Sequence, residues 1–372
     1  MNTIVQNKFD LVTPCLILDL DILENNLRKM QKLADSKRKN LRPHAKTHKC
    51  IPIAKRQIEL GAIGICAAKV SEAELLAKAG IHGILLTGPI ASKERIKKIV
   101  DILSISPNIM VTVDNKFVVD NLNLELEQRK LSMDVLIDID AGLKRTGINS
   151  ANAFEFAEFI LSKKNLHLRG IQAYAGHIQH IISYNERIIA SRNCLEEIIP
   201  VFNKLKSMIE RFTIFSASGT GTFEIDSSIP EITEHQVGSY CCMDAEYLAI
   251  ESSTNSKSFK TFEPALRLLT TVISANQKGF VTVDAGLKSI YKDGAVPQIL
   301  NSEYSSLKYD WFGDEYGKII YQGNMKAPTL GAVLELVTSH CDPTINLFDR
   351  FYITQDEKVV DVWPIDLRGC SQ

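Results

Sequence analysis

The chain reads as an α/β protein: a (β/α)8 TIM-like barrel joined to a second, mostly antiparallel β domain. Three observations predict this. From about Asn40 to Tyr240 a short apolar run is followed by a longer segment of helical periodicity, and the pair recurs through eight runs. Such alternation favours parallel strands closed into a barrel over an open sheet. After about Ala249 short β-rich runs separated by Gly, Asn, Asp and Pro turns take over, the texture of an antiparallel sheet. Between the two lies the polar stretch 251–260, read as a solvated linker. The expected division is therefore a barrel over 20–249 and a β domain made of 1–19 plus 250–372.

The expected barrel strands are 41–47, 63–68, 83–88, 109–114, 134–140, 168–175, 212–218 and 231–240, the last being the least strand-like in composition. Amphipathic segments such as 71–79, 92–103 and 151–163 lie between them. Ser71 followed by Glu74 has the spacing of a capping box opening the first of these helices. In the second domain the expected strands are 265–275, 279–284, 318–321, 332–337, 349–353 and 358–363. The early run Cys15–Asp19 precedes the barrel and is a candidate to pair into the β domain.

Composition narrows the function classes. The 372 residues suffice for a large core. Charged residues are 23% of the chain and nearly balanced, with a net charge of −1, so no electrostatic footprint for nucleic acid or an anionic membrane is expected. A small anionic substrate stays open, because it needs only local charge. No secretory h-region and no membrane-spanning run are read, and the eight cysteines form no CxxC pair, so reduced thiols in a cytoplasmic protein are expected.

In a parallel barrel, chemistry sits at the carboxyl ends of the strands. The first expected strand ends Arg42-Pro43-His44-Ala45-Lys46-Thr47-His48-Lys49. A lysine at a barrel mouth can be desolvated, which lowers its pKa and makes a Schiff base feasible; the plain alternative is a surface lysine. The fifth run leads into Gly142-Leu143-Lys144-Arg145-Thr146-Gly147. Arg145 there would present a fixed guanidinium to an anionic or phenolic oxygen, or simply begin a helix in solvent. The sixth leads into Tyr174-Ala175-Gly176-His177-Ile178-Gln179-His180, where His177 and His180 are candidates for a base or metal ligands. The seventh leads into Ser218-Gly219-Thr220-Gly221, a turn that would offer bare backbone N–H groups and hydroxyls to a phosphate. In the β domain, His340 and Asp342 flank Cys341. Two residues apart in extended chain they would point the same way, and imidazole with carboxylate suits Mn²⁺, Mg²⁺ or Zn²⁺; the alternative is a polar turn before Pro343.

Together these motifs resemble the D-threonine aldolase and D-serine dehydratase family of fold-type III pyridoxal 5′-phosphate enzymes, related in fold to alanine racemase. The likeness runs from Thr13-Pro14-Cys15-Leu16-Ile17-Leu18-Asp19 to the 340–349 segment. It implies that Lys46 is the Schiff-base lysine, that Arg145 faces the cofactor's phenolate oxygen, and that Tyr174 lines the cofactor. It also implies that Ser218 and the Gly219-Thr220-Gly221 turn cradle the phosphate, that His180 is the base, and that His340 and Asp342 hold the metal. The His-x-Asp pair resembles the aldolase branch, whereas the dehydratase branch has His-x-Cys. Two departures stand out: Tyr174-Ala175-Gly176-His177 moves a histidine that the aldolases carry directly after the tyrosine, and Ser218 replaces a usual glycine.

The resemblance implies a lyase that cleaves a β-hydroxy D-amino acid such as D-threonine to glycine and an aldehyde. The resemblance also implies a small-molecule substrate and a homodimer, and the balanced charge leads us to expect neither nucleic acid nor membrane as a partner. The rivals are a D-serine dehydratase, which would release pyruvate and ammonia, and a 3-hydroxyaspartate aldolase, whose extra carboxylate needs a further cationic contact such as His177. A racemase has no use for the His340–Asp342 pair. A non-catalytic pyridoxal-phosphate carrier resembles the barrel alone, so the β domain argues against it.

Overall fold

The computed structural model describes residues 6–372. The described chain divides into two compact units. One comprises Lys29–Lys46, Ile51–Gly238 and Cys370–Gln372; the other comprises 6–28, Thr47–Cys50 and Ser239–Gly369. The helix Leu20–Ser36 crosses the division, and a second division falls directly after Lys46.

The first unit holds eight parallel strands: Asn40–Leu41, Cys66–Ala67, Leu85–Leu86, Met110–Val113, Met133–Asp138, Leu166–Ala173, Ile214–Ala217 and Glu234–His235. Each pairs with its successor from Cys66–Ala67 onward, and Glu234–His235 pairs back to Asn40–Leu41. A parallel bridge between His44 and Cys66 joins the two ends, with Cys66 N donating to Pro43 O at 2.8 Å and Ala45 N to Cys66 O at 2.9 Å. All eight expected strands are present, most of them shorter than their apolar runs. The 231–240 run shrinks to two paired residues, because its other residues are turn and loop.

Burial on both faces explains the unbroken apolar runs: Met110–Val113 is buried at every position. Cys66, Leu85, Met110 and Leu136 pack together as one apolar cluster. Between the strands run helices capped by their own sequence. Ser92 accepts from Arg95 N ahead of Lys93–Ile102, and Asn115 accepts from Phe117 N ahead of Lys116–Arg129. The expected Ser71–Glu74 box is not formed. The helix Val70–Lys78 begins earlier, and the buried Glu72 carboxylate accepts from Ala68 N at 2.8 Å and Lys69 N at 3.2 Å. Ser71 instead donates to Gln372 O.

The second unit is built on a nine-stranded sheet, antiparallel except at one pairing. Cys15–Asp19 does join it: the strand runs antiparallel to Leu266–Ser274 and parallel to Arg350–Gln355. Leu11, Cys15, Ile17, Leu269 and Val359 form a buried cluster there. The six expected strands of this unit are present. Two more, Gln298–Ile299 and Lys308–Trp311, lie in segments too short or too polar for the alternation to reveal. The 251–260 stretch is not wholly solvated, since Phe259 is fully buried. All eight cysteines are free thiols. Among the described residues no helix is long and apolar enough to cross a membrane.

Candidate active site

Because the eight strands are parallel, their carboxyl ends share one rim, and most of the expected site residues stand on it. Lys46 lies in the turn after Asn40–Leu41 and is half-buried. Its strand is held from both sides: His44 N donates to Val237 O at 2.9 Å and Ala45 N to Cys66 O at 2.9 Å. Lys46 N itself donates to His44 Nδ1 at 3.3 Å. Arg42, on the same segment, is structural. It forms a two-pronged pair with Glu234, Nε to Oε1 at 3.0 Å and Nη2 to Oε2 at 3.1 Å, and Nη1 donates to Gly83 O.

Arg145 is exposed, in a loop that is tied down on either side of it. Asp140 Oδ1 accepts from Gly142 N and Lys144 N, Thr146 Oγ1 donates to Asp138 Oδ2 at 2.9 Å, and Gly147 N donates to Asp114 Oδ2 at 3.1 Å. Tyr174 follows Leu166–Ala173, and one edge of its ring lies 3.3 Å from where a Cβ on Gly219 would stand. His180 is half-buried with its Nε2 inside the protein, whereas His177 is exposed with Nε2 3.8 Å from Cys194 Sγ.

The Ser218–Gly221 turn follows Ile214–Ala217 and differs from expectation. Its N–H groups are not all bare: Gly219 N donates to Thr222 Oγ1 at 3.3 Å and Gly221 N to Gln179 Oε1 at 3.0 Å. The physical reason is that Gln179, 1% exposed, folds its amide into the turn, a contact between segments 42 residues apart that spacing cannot reveal. Ser218 stands where a glycine is usual, and its φ of +71° is the left-handed conformation that glycine adopts freely. Its hydroxyl is held by His235 Nδ1 at 2.9 Å, and His235 Nε2 meets Ser227 Oγ at 2.9 Å. Burial holds the His235 imidazole down to about 3, so it is neutral, with one nitrogen donating and the other accepting.

Sequence reasoning missed a polar ladder inside the barrel. Gln172 Nε2 donates to Asp138 Oδ1 at 2.9 Å and to Thr87 O at 3.2 Å. Gln236 Nε2 donates to Gln172 Oε1 at 3.0 Å and Ser216 Oγ at 2.8 Å, and His44 Nε2 meets Thr87 Oγ1 at 3.0 Å. Burial pushes the Asp138 carboxyl up to about 6, against the hydrogen bonds from Gln172 and Thr146. The signal was available: Asp138 lies between Ile137 and Ile139 and Gln172 between Ile171 and Ala173, polar residues that a buried strand tolerates only where polar partners meet them.

The rim fits pyridoxal phosphate by its donor set: a half-buried amine on Lys46, a guanidinium on Arg145, an aromatic ring on Tyr174, and a glycine turn packed on that ring. In the second unit His340 and Asp342 are not in extended chain. His340 is the N-cap of the short helix Cys341–Ile345, and Asp342 lies in its first turn, so alternation along a strand does not relate their side chains. His340 Nδ1 is 3.3 Å from Asp293 Oδ2, and Asp342 Oδ1 accepts from Ser239 Oγ at 3.4 Å. Among the described residues no group of three or more His, Cys, Asp or Glu is arranged to hold a metal. The pair offers imidazole and carboxylate, a donor set that suits a divalent ion whose other positions are filled by water or substrate.

Comparison with known proteins agrees with this architecture. The family model for the alanine racemase N-terminal domain matches residues 18–245, and that for a putative serine dehydratase domain matches 265–354. The chain is 36% identical to a D-threonine aldolase of Arthrobacter sp over 361 residues, covering 97% of this chain and 93% of that protein. It is 32% identical to a 3-hydroxy-D-aspartate aldolase of Paracoccus denitrificans (strain Pd 1222) over 363 residues, with the same coverage. The crystal structure of D-threonine aldolase from Filomicrobium marinum superposes with a TM-score of 0.92 at 31% identity, covering 99% of this chain and 98% of that one. The chain therefore belongs to the D-threonine aldolase and D-serine dehydratase family of fold-type III pyridoxal-phosphate enzymes, built on the alanine racemase fold.

Proposed function

We propose that this chain is a pyridoxal-phosphate-dependent lyase that cleaves a β-hydroxy D-amino acid of the D-threonine type to glycine and an aldehyde. The observation that carries the reading is the placement of Lys46, Tyr174 and the Ser218–Gly221 turn on one rim of a chain 36% identical, along nearly its whole length, to a D-threonine aldolase. Lys46 Nζ holds the cofactor, and Arg145 presents its guanidinium to the cofactor's phenolic oxygen. Tyr174 lines the ring, and the Ser218-Gly219-Thr220-Gly221 turn takes the phosphate. When bound, the cofactor's conjugated ring accepts the electron pair released from the Cα–Cβ bond. His180 takes the proton of the substrate's β-hydroxyl at a ring nitrogen, so that the oxygen can form the aldehyde carbonyl. His340 and Asp342 are the residues that would hold a divalent ion, Mn²⁺, Mg²⁺ or Zn²⁺, whose charge lowers the pKa of an oxygen bound to it.

A second reading, 3-hydroxy-D-aspartate cleavage, is favoured by the 32% identity to the Paracoccus aldolase. The test supplies purified protein and pyridoxal phosphate with a panel of β-hydroxy D- and L-amino acids, including D-threonine, D-serine and 3-hydroxy-D-aspartate, with and without chelator. Aldehyde plus glycine is expected, with bound-cofactor absorbance lost in Lys46→Ala. Keto acid plus ammonia as the sole products would overturn the aldolase reading in favour of a dehydratase. Activity indifferent to chelator would remove the role given to His340 and Asp342. The working form is read as a cytoplasmic homodimer; sedimentation as a monomer at assay concentration would remove the dimer from the proposal.

A further inference from the structure

Arg187 takes no part in the proposed chemistry. It sits in the helix Tyr184–Leu195, and its side chain is 0% exposed. A guanidinium is rarely taken fully out of water unless its donors are placed. Here Nε donates to Gly221 O at 2.7 Å, and Nη1 donates to Ile181 O and, at 3.4 Å, to Ile182 O. These carbonyls belong to two different turns. Gly221 closes the Ser218–Gly221 turn, whereas Ile181 and Ile182 directly follow His180.

The residue on the other side of His180 makes the same connection. Gln179 Oε1 accepts from Gly221 N at 3.0 Å, and Gln179 Nε2 donates to Thr222 Oγ1 at 3.2 Å. A Cβ on Gly221 would stand 2.0 Å from Gln179 O, so the two backbones touch. His180 is thus bracketed by attachments to one glycine turn: Gln179 before it, and the Ile181 and Ile182 carbonyls after it.

We propose that Arg187 is a positioning residue that fastens the turn carrying His180 to the Ser218–Gly221 turn, so that filling the second turn with the cofactor's phosphate also orders the first. The inference rests on the reading of the preceding section. The planar fork of arginine reaches carbonyls in two directions at once, which a lysine ammonium on a flexible stem does not. A fastening of this kind differs from a packing role in what it transmits: a packing residue sets how stable the barrel is, whereas this one makes order in one turn depend on occupancy of the other.

The test is amide hydrogen exchange of protein stripped of cofactor, with and without added pyridoxal phosphate, in the wild type and in Arg187→Lys. In the wild type, added cofactor is expected to slow exchange at residues 181–183 as well as at 219–223. In Arg187→Lys the 219–223 protection persists, the 181–183 protection is lost, and cofactor affinity falls about tenfold, the scale of one lost charge-assisted hydrogen bond. kcat falls while KM for the amino acid is nearly unchanged. Protection of both turns in Arg187→Lys, equal to that of the wild type, would overturn the inference and leave the proposed function standing. If Arg187→Lys does not fold, the wild type alone decides, since protection confined to 219–223 overturns the inference. Absence of any cofactor uptake by the wild type would overturn the proposed function and this inference with it.

Discussion

Breaking the Arg42–Glu234 pair is expected to cost far more than removing it altogether. Both side chains are buried, at 4% and 2% exposure, so each charge depends on the other. Two bonds of 3.0 and 3.1 Å join them, and Arg42 Nη1 also serves Gly83 O. In Arg42→Met the Glu234 carboxylate is left in the barrel wall without its two guanidinium donors, a loss of about 3–5 kcal/mol. Glu234→Leu strands the guanidinium at a similar cost of about 3–5 kcal/mol. The double variant buries no charge, and paired hydrophobic replacement is often neutral, so its cost is expected within about 2 kcal/mol of zero rather than at the sum. Urea unfolding of the four proteins, followed by far-ultraviolet circular dichroism, reads this directly. Single costs that simply add in the double variant would refute the argument, because additivity means the two charges do not depend on one another.

Two further outcomes follow from the geometry. Gly221→Ala puts a Cβ 2.0 Å from Gln179 O, so the turn must shift, and pyridoxal-phosphate affinity measured by titration should fall at least about tenfold. Gly80→Ala, at φ +82° with nothing within 4 Å, should cost only about 1 kcal/mol of backbone strain and leave cofactor affinity intact. The second outcome concerns pH. His235 is depressed from 6.5 to about 3 in the fold, so its contribution is whole above pH 6.5 and is lost as pH falls toward 3, by up to about 5 kcal/mol. Asp138 is raised from 3.8 to about 6, so its contribution is whole below pH 3.8 and is lost as pH rises through 6, by up to about 3 kcal/mol. Between pH 4 and 6 the two oppose one another. Asp138→Asn should therefore steepen the acid loss of stability by about 1.4 kcal/mol per pH unit across that window, and unchanged slopes in urea midpoints would count against it.

What the sequence disclosed was what depends on local order. Eight apolar runs with helical segments between them suffice to place eight parallel strands, and parallel strands suffice to bring Lys46, Arg145, Tyr174 and Ser218 to one rim. The order of motifs along the chain then named the family. What stayed hidden depends on where elements begin and end, and on partners distant in sequence. Glu72 rather than Glu74 closes a helix start, because caps follow the backbone and not the spacing alone. Gln179 occupies one N–H of a turn 42 residues away, and Arg42 finds its carboxylate 192 residues on. Asp342 falls in a helix because the strand Val333–Val337 ends before His340, a boundary that the run of residues around Pro343 left open.

The strand Cys15–Asp19 sets an order of events for the growing chain. Its partners are Leu266–Ser274 and Arg350–Gln355, so its pairing residues wait for segments about 250 and 335 positions downstream. From Cys66–Ala67 onward each barrel strand pairs with the next one to leave the ribosome, and the apolar Cys15-Leu16-Ile17-Leu18 segment has no such early partner. Throughout that interval it is a strand with two unsatisfied edges, which is the kind of segment that chaperones bind and that aggregates when they are scarce. The sheet of the second unit is thus completed only when Cys15–Asp19 meets segments about 250 and 335 positions downstream of it. Trimming Cys15–Asp19 would split it between Leu266–Ser274 and Arg350–Gln355, in the middle and not at its margin.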